Sequence, residues 1–197
     1  MAGEKSVRSE KLMTPEFRVS FPYVFEPSKN MTDPTKPGKY AVTMLFQKGV
    51  DLREMQKAVA DVVVQKFGPD KAKWPKLRLP FRDQADKADK FKGYEPGAVF
   101  VTATSKDRPG LVDASVTKII NPEDFYAGCY ARATVNAYYY DQAGNKGVAF
   151  GLMNIQKTKD GEPLGGRANA EADFQPVEVP AGASGGDTSL DALFGTN

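Results

Sequence analysis

The longest regular alternation in the chain runs from Gly128 to Lys157, where two strand-like runs flank a turn at Asp141-Gln142-Ala143-Gly144-Asn145. Successive side chains of a strand point to opposite faces. In the first run one parity carries Tyr130, Arg132, Thr134, Asn136, Tyr138 and Tyr140, and the other Cys129, Ala131, Ala133, Val135, Ala137 and Tyr139. The second set is small and apolar and predicts a core face, with Tyr139 pointing inward and irrelevant to binding. The first set mixes rings, a guanidinium and hydrogen-bonding groups. Such a face can stack bases and hold phosphates, and it equally suits the solvated side of an antiparallel sheet. In the return run Val148, Phe150, Leu152, Asn154 and Gln156 oppose Ala149, Gly151, Met153, Ile155 and Lys157. Gly147 and Gly151 weaken that strand but let another backbone or a ligand come close.

The same period appears three more times. From Glu16 to Phe25, Phe17, Val19, Phe21, Tyr23 and Phe25 share a parity, and Pro22 marks an edge strand or a bulge. Tyr40–Gln47 sets Tyr40, Val42, Met44 and Phe46 against Ala41, Thr43 and Leu45. Ala98–Ser105 sets Val99, Val101 and Ala103 against Phe100, Thr102 and Thr104. One helix breaks the series. Asp51–Phe67 carries Leu52, Met55, Val59, Val62, Val63 and Phe67 at helical spacing, opens on an Asp51/Glu54 capping box and stops at Gly68-Pro69. About six or seven strands with one inserted helix predict a mainly β protein, an OB-fold-like antiparallel barrel.

The remaining stretches are punctuation, with charge on them. Residues 1–13 read as a flexible arm whose Lys5, Arg8 and Lys11 can touch phosphate, and residues 26–39 read as a loop. Between residues 70 and 97, Trp74, Phe81, Phe91 and Tyr94 are interleaved with eight lysines and arginines. That mixture fits a single-strand binding surface and equally a long solvated loop pinned by its aromatics. Residues 160–197 are rich in Gly, Ala and Pro and hold seven acids against one arginine, a net −6. The whole chain is +2, so residues 1–159 carry +8. A basic body with an acidic tail points to a polyanionic partner for the body. The predicted organisation is therefore an arm over 1–13, a binding domain over 14–159 and a disordered acidic tail over 160–197. Near the end of the tail, Leu190, Leu193 and Phe194 stand among acids in the form of a docking peptide.

Composition removes several chemistries. There is no histidine and a single cysteine, Cys129, so the commonest general base, an intramolecular disulfide and a cysteine-based zinc site are all excluded. Gly144-Asn145-Lys146-Gly147 lacks the phosphate-loop pattern. The strand-borne acids Glu16 and Asp113 lie too far apart in sequence to suggest a two-metal centre. The expectation is a protein without catalytic residues, cofactor or metal, and without a membrane span or signal peptide.

Three segments, Leu79-Pro80-Phe81-Arg82-Asp83, Phe125–Arg132 (FYAGCYAR) and Asn145–Lys157 (NKGVAFGLMNIQK), resemble the signature segments of a bacteriophage family of OB-fold single-stranded DNA-binding proteins. The similarity spans roughly residues 12–175. It implies sequence-independent binding of single-stranded DNA in phage replication, recombination or repair, in the cytoplasm of the infected bacterial host. It also implies a tail that recruits replication or recombination proteins and occupies the groove when DNA is absent. Gly195-Thr196-Asn197 extend past the phenylalanine, which departs from tails whose terminal carboxylate adjoins the ring. The expected stacking rings are Tyr130, Tyr138, Tyr140, Phe150 and Tyr94, and the expected phosphate contacts Arg132, Lys146, Arg78, Arg82 and Lys39. The rival reading is a non-catalytic phage structural or accessory protein whose basic face binds another protein. Oligomeric state is left open, a homodimer included. On the groove-competition reading, deleting residues 176–197 should tighten binding to single-stranded DNA and leave the thermal melt of the body unchanged; weaker binding by the truncated chain would contradict it.

Overall fold

The computed structural model describes residues 7–30, 34–142 and 144–165. Its strands are β1 (Leu12–Met13), β2 (Phe17–Ser28), β3 (Lys39–Leu45), β4 (Arg82–Asp83), β5 (Val99–Ser105), β6 (Gly110–Val112), β7 (Tyr130–Gln142) and β8 (Asn145–Lys159). The helices are α1 (Arg53–Phe67) and the single turn α2 (Ala85–Ala88). Among the described residues no helix is long and apolar enough to cross a membrane.

The β7–β8 hairpin pairs along its whole length, from Tyr130↔Lys159 to Gln142↔Asn145. β7 also pairs with β2, β2 with β3, β3 with β5, and β5 with β8, so five strands close on themselves in the manner of an OB-fold. Four of these pairings are antiparallel, and β5–β8 is the one parallel pairing of the ring. The reason is geometric: strand direction cannot alternate all the way round a ring with an odd number of members.

The inward faces largely follow the alternation. Val42, Met44, Val101, Ala103, Val148, Phe150 and the β7 set Ala131, Ala133, Val135 and Ala137 are buried in one core. The alanines of β7 leave room for α1, which packs on that strand and brings Met55, Val59, Val62 and Val63 into the same core. Register shifts in β2 and in the β7–β8 hairpin break the parity. In β2 the register shifts between Ser20 and Tyr23, and Phe21 takes φ +45°, so Val24 replaces Phe21 and Tyr23 on the inner side, with Phe25 partly buried against the same core. Pro22, which cannot donate to the ladder, sits in that shift. In β8, Thr134 pairs Asn154 while Val135 pairs Leu152. Met153 is the extra residue, and Ile155 turns inward where Asn154 was expected in phase with Leu152.

The start of α1 also differs from expectation. Leu52 occupies the N-cap without a side-chain bond. Asp51 instead accepts from the Arg53 backbone N–H at 3.0 Å and pairs with the Arg53 guanidinium, which takes its carboxyl down to about 2.

Residues 8–13 are not a loose arm. β1 pairs with β7 (Leu12↔Val135), Ser9 N–H donates to Ala137 O at 2.8 Å, and the Ser9 hydroxyl accepts from Ala137 N–H at 2.9 Å. β2 pairs with β7 only at Phe17–Arg18, so the rest of β7 would otherwise be an open edge. At the other end the packed chain runs past residue 159 to Gly165. Leu164 N–H donates to Ala127 O at 2.8 Å, Arg18 donates to Glu162 O at 2.7 Å, and Tyr126 donates to Asp160 at 2.9 Å. Lys157 and Tyr126 hold the Asp160 carboxyl below the usual carboxylate range, so its contribution to this latch is full above that range and is lost as pH falls through the lowered value. Gly128 is required here: at φ +118°, a Cβ would meet Glu162 O at 2.1 Å. The tail beyond, with Leu190, Leu193 and Phe194, lies outside the described residues.

The 70–97 stretch is ordered by one buried amide. Gln84 donates from Nε2 to the carbonyls of Phe46 and Val99 and accepts at Oε1 from Glu95 N–H, each at 2.9 Å. It thereby ties α2 and the loop after it to β3 and β5. Gln84→Met keeps the volume and takes this partner from the Phe46 carbonyl and the Glu95 N–H, at a cost of about 1–3 kcal/mol each when left unmet, while the Val99 carbonyl keeps the Phe46 N–H at 2.9 Å. We expect a urea midpoint shift worth roughly 2–4 kcal/mol.

Candidate nucleic-acid interface

Paired residues on adjacent strands present their side chains to one face. The register therefore defines a row across all five strands of the ring: Tyr23↔Ala41↔Thr104↔Gly151↔Asn136. Its flanking residues Val42, Ala103, Phe150 and Ala137 are core, so the row lies outside. At the β7–β8 end it opens into a cleft of about 630 Å³. Tyr138 and Tyr140 form one wall and Gly151–Met153 part of the floor, and the cations Arg8, Lys39 and Lys106 surround it with one acid, Asp107.

Each member is placed by a specific local feature. β7 runs on to Gln142, which carries both tyrosines beyond the pairing with β2. The N-terminal segment bridges Arg8 to Tyr138, and the Arg8 guanidinium stands 5.9 Å over the Tyr138 ring, within cation–π reach. Lys39 opens β3, and Lys106 follows the last residue of β5. Gly151 makes room for the Asn136 side chain: a Cβ there would come within 2.5 Å of Asn136 Oδ1. Gly147 supplies a close crossing: a Cβ there would meet Arg78 O at 2.4 Å and the Tyr140 hydroxyl at 2.8 Å. Rings, cations and a polar floor of Thr104, Ser105 and Asn136 give a surface suited to a polyanion that carries flat faces.

Of the expected residues, Lys39, Tyr138 and Tyr140 meet in this cleft. Lys146 and Arg78 lie at the hairpin end. Arg78 pairs by backbone with the start of β8, donating to Lys146 O at 2.9 Å, and Lys146 faces Asp141 at 3.4 Å. Tyr130 and Arg132 are on the same strand face but toward its other end, roughly 27 Å and 20 Å from Tyr138 at the rise of a strand. There the Lys159 ammonium covers the Tyr130 ring at 4.6 Å and Arg132 donates to Gln156 at 2.8 Å. Tyr130 and Arg132 therefore share the face of Tyr138 and Tyr140 but do not line the cleft. Arg82 stands outside the cleft, 5.2 Å over the Phe100 ring and 3.5 Å from Asp86.

Two expected stacking rings are core residues. Phe150 is fully buried, edge-on to Phe81 at 6.0 Å, because it shares the inner parity of Val148 and Leu152. Tyr94 is buried with Leu45 and Phe100, and its hydroxyl is 3.1 Å from that of Ser20. Burial raises its phenol. Tyr139 lies on the opposite face from Tyr138 and Tyr140, edge-on to Phe67 of α1 at 5.4 Å. Lys106, Thr104 and Asn136 were not among the expected contacts. The usable signal was the outward Thr102/Thr104 parity, which runs straight into Lys106.

Residues 10–184 match the model of a family described as Enterobacter phage Enc34, ssDNA-binding protein. The chain is 31% identical over 175 residues to protein p50 of Acyrthosiphon pisum secondary endosymbiont phage 1, covering 82% of this chain and 91% of that one. Its fold is that of the single-stranded DNA-binding protein from bacteriophage Enc34 in complex with ssDNA, at TM-score 0.63 and 20% identity over 83% of this chain and all of the other. It is also that of gp2.5, a single-stranded DNA-binding protein encoded by bacteriophage T7, at TM-score 0.56 and 12% identity over 88% of this chain and 99% of the other. With its family model covering most of the sequence, the chain belongs to the family of the phage Enc34 single-stranded DNA-binding protein.

Proposed function

We propose that this chain binds single-stranded DNA without sequence preference, and that it serves phage DNA replication, recombination or repair in the cytoplasm of the infected host. The observation that carries the reading is the cleft in which Tyr138 and Tyr140 stand among Arg8, Lys39 and Lys106. Every base has a π face, so stacking on two tyrosines tolerates any sequence. Phosphates between the bases meet the three cations, and release of condensed counterions drives binding in a salt-dependent way. The role is non-catalytic: strand exposure and protection need only binding. The tail, through Leu190, Leu193 and Phe194, recruits replication or recombination proteins.

Titration of labelled oligo-dT by fluorescence anisotropy tests this directly. Tyr138→Ala should weaken binding by about 1–3 kcal/mol, roughly 5- to 150-fold, with the fold intact. Lys106→Ala should weaken binding to all sequences alike and lower the slope of log K against log salt by about one. Failure of the unaltered protein to bind oligo-dT at low salt would overturn the reading in favour of a protein partner for this face.

A further inference from the structure

The row of paired residues that floors the cleft does not end there. Four strand spacings away, about 19 Å at the usual separation, it reaches Tyr23 on β2. Tyr23 lines a second cavity of about 340 Å³ with Phe21, Phe91 and Leu164, and Lys92 stands at its rim. This cavity exists because of the β2 bulge, which takes Phe21 to φ +45° and out of the core parity. The Phe21 ring meets Phe91 edge-on at 5.1 Å.

Two features show that these rings are presented rather than buried. Tyr23 is 43% exposed and Phe91 40% exposed, while Tyr94 and Phe100 beneath them are closed off. The group holding the rings is a cation. The Lys87 ammonium lies 5.1–5.9 Å from the ring centres of Phe21, Phe91, Tyr94 and Phe100. Lys87 thus gives the ring cluster a positive setting, while Lys92 at the cavity is paired with Glu162 at 2.6 Å and Arg82, over Phe100, with Asp86. An apolar peptide side chain gains little from such cations. A flat ring carrying a phosphate is matched on both counts.

The ground between the two cavities suits a crossing strand. Between them the row carries only the small Ala41, the Thr104 hydroxyl and Gly151, whose missing Cβ makes room for the Asn136 side chain. One register step along, the Thr43 and Thr102 hydroxyls lie 3.1 Å apart and can serve a phosphate oxygen or a water bridging to one.

We propose that the Phe21–Tyr23–Phe91 cavity is a second nucleobase subsite. It takes an unpaired base of the same strand whose other bases occupy the Tyr138/Tyr140 cleft, the strand crossing over Ala41, Thr104 and Gly151. This rests on the single-stranded DNA reading above. Ser20 is the one hydrogen-bonding side chain of the lining apart from Tyr23 and Lys92, so the subsite reads the presence of a base rather than its identity.

A length series of oligo-dT, from about 4 to about 16 nucleotides, the range one domain of this type covers, separates the two sites. Tyr23→Ala removes an exposed ring; Phe91→Leu keeps apolar volume and removes only the aromatic face, and a thermal melt checks each fold. Both should bind the shortest oligomers as the unaltered protein does and lose roughly 5- to 150-fold on the longest, whereas Tyr138→Ala weakens every length. Phe91→Tyr should restore long-oligomer binding. An iodouracil placed at one end of a long oligomer should photo-crosslink to Tyr23 or Phe91. If both variants bind every length normally while Tyr138→Ala stays weak, the subsite is wrong and the DNA-binding reading stands. Equal loss at all lengths would also overturn the subsite. If the unaltered protein binds no oligomer, the underlying reading fails first.

Discussion

Direction around the five-strand ring cannot alternate without a break, and the break is the parallel contact between β5 and β8. Much of the outer face follows from this seam. It sets Thr104 beside Gly151, and the hairpin sets Gly151 beside Asn136, so small and polar groups collect at one level of the sheet. The same closure forces β7 and β8 to be long. They must complete the ring at one end and still project beyond it at the other, and the projecting part carries Tyr138 and Tyr140. A shorter hairpin would close the barrel and hold no cleft.

The alternation of apolar residues revealed the barrel strands and the helix because burial on one face imposes a period that local sequence must obey. The β7 alanines were legible as a core face for the same reason, and the Phe125–Arg132 and Asn145–Lys157 segments carried the family resemblance. Phase was less legible. A bulge costs one residue and leaves no compositional mark beyond Pro22 in β2, and nothing comparable announces Met153 in β8. Each bulge inverts every assignment downstream, which is why Tyr23 and Ile155 ended on faces opposite to those expected.

Site residues were legible where they depended on one strand and illegible where they depended on the meeting of several. Tyr138 and Tyr140 follow from β7 alone. Lys106 and Lys39 share the cleft only because β3 and β5 pair in register (Tyr40↔Ser105), a long-range fact. Tyr130 and Arg132 lie outside the cleft for the converse reason: identical parity says nothing about distance along a strand. Tyr94 was drawn toward the surface by its basic neighbours, yet the buried Gln84 amide folds its loop back on β3 and β5 and turns the ring inward.

The pairing of Ser9 and β1 with β7 has a consequence for how the molecule behaves among its copies. Without that cover, the stretch from Ala133 to Tyr139 would present a row of unmatched peptide groups, the length of an ordinary strand. Such a row accepts any extended chain, including the equivalent segment of a neighbour. By filling it from within, the polypeptide satisfies its own valence, and the few residues before the barrel keep a crowded population of this protein from zipping edge to edge.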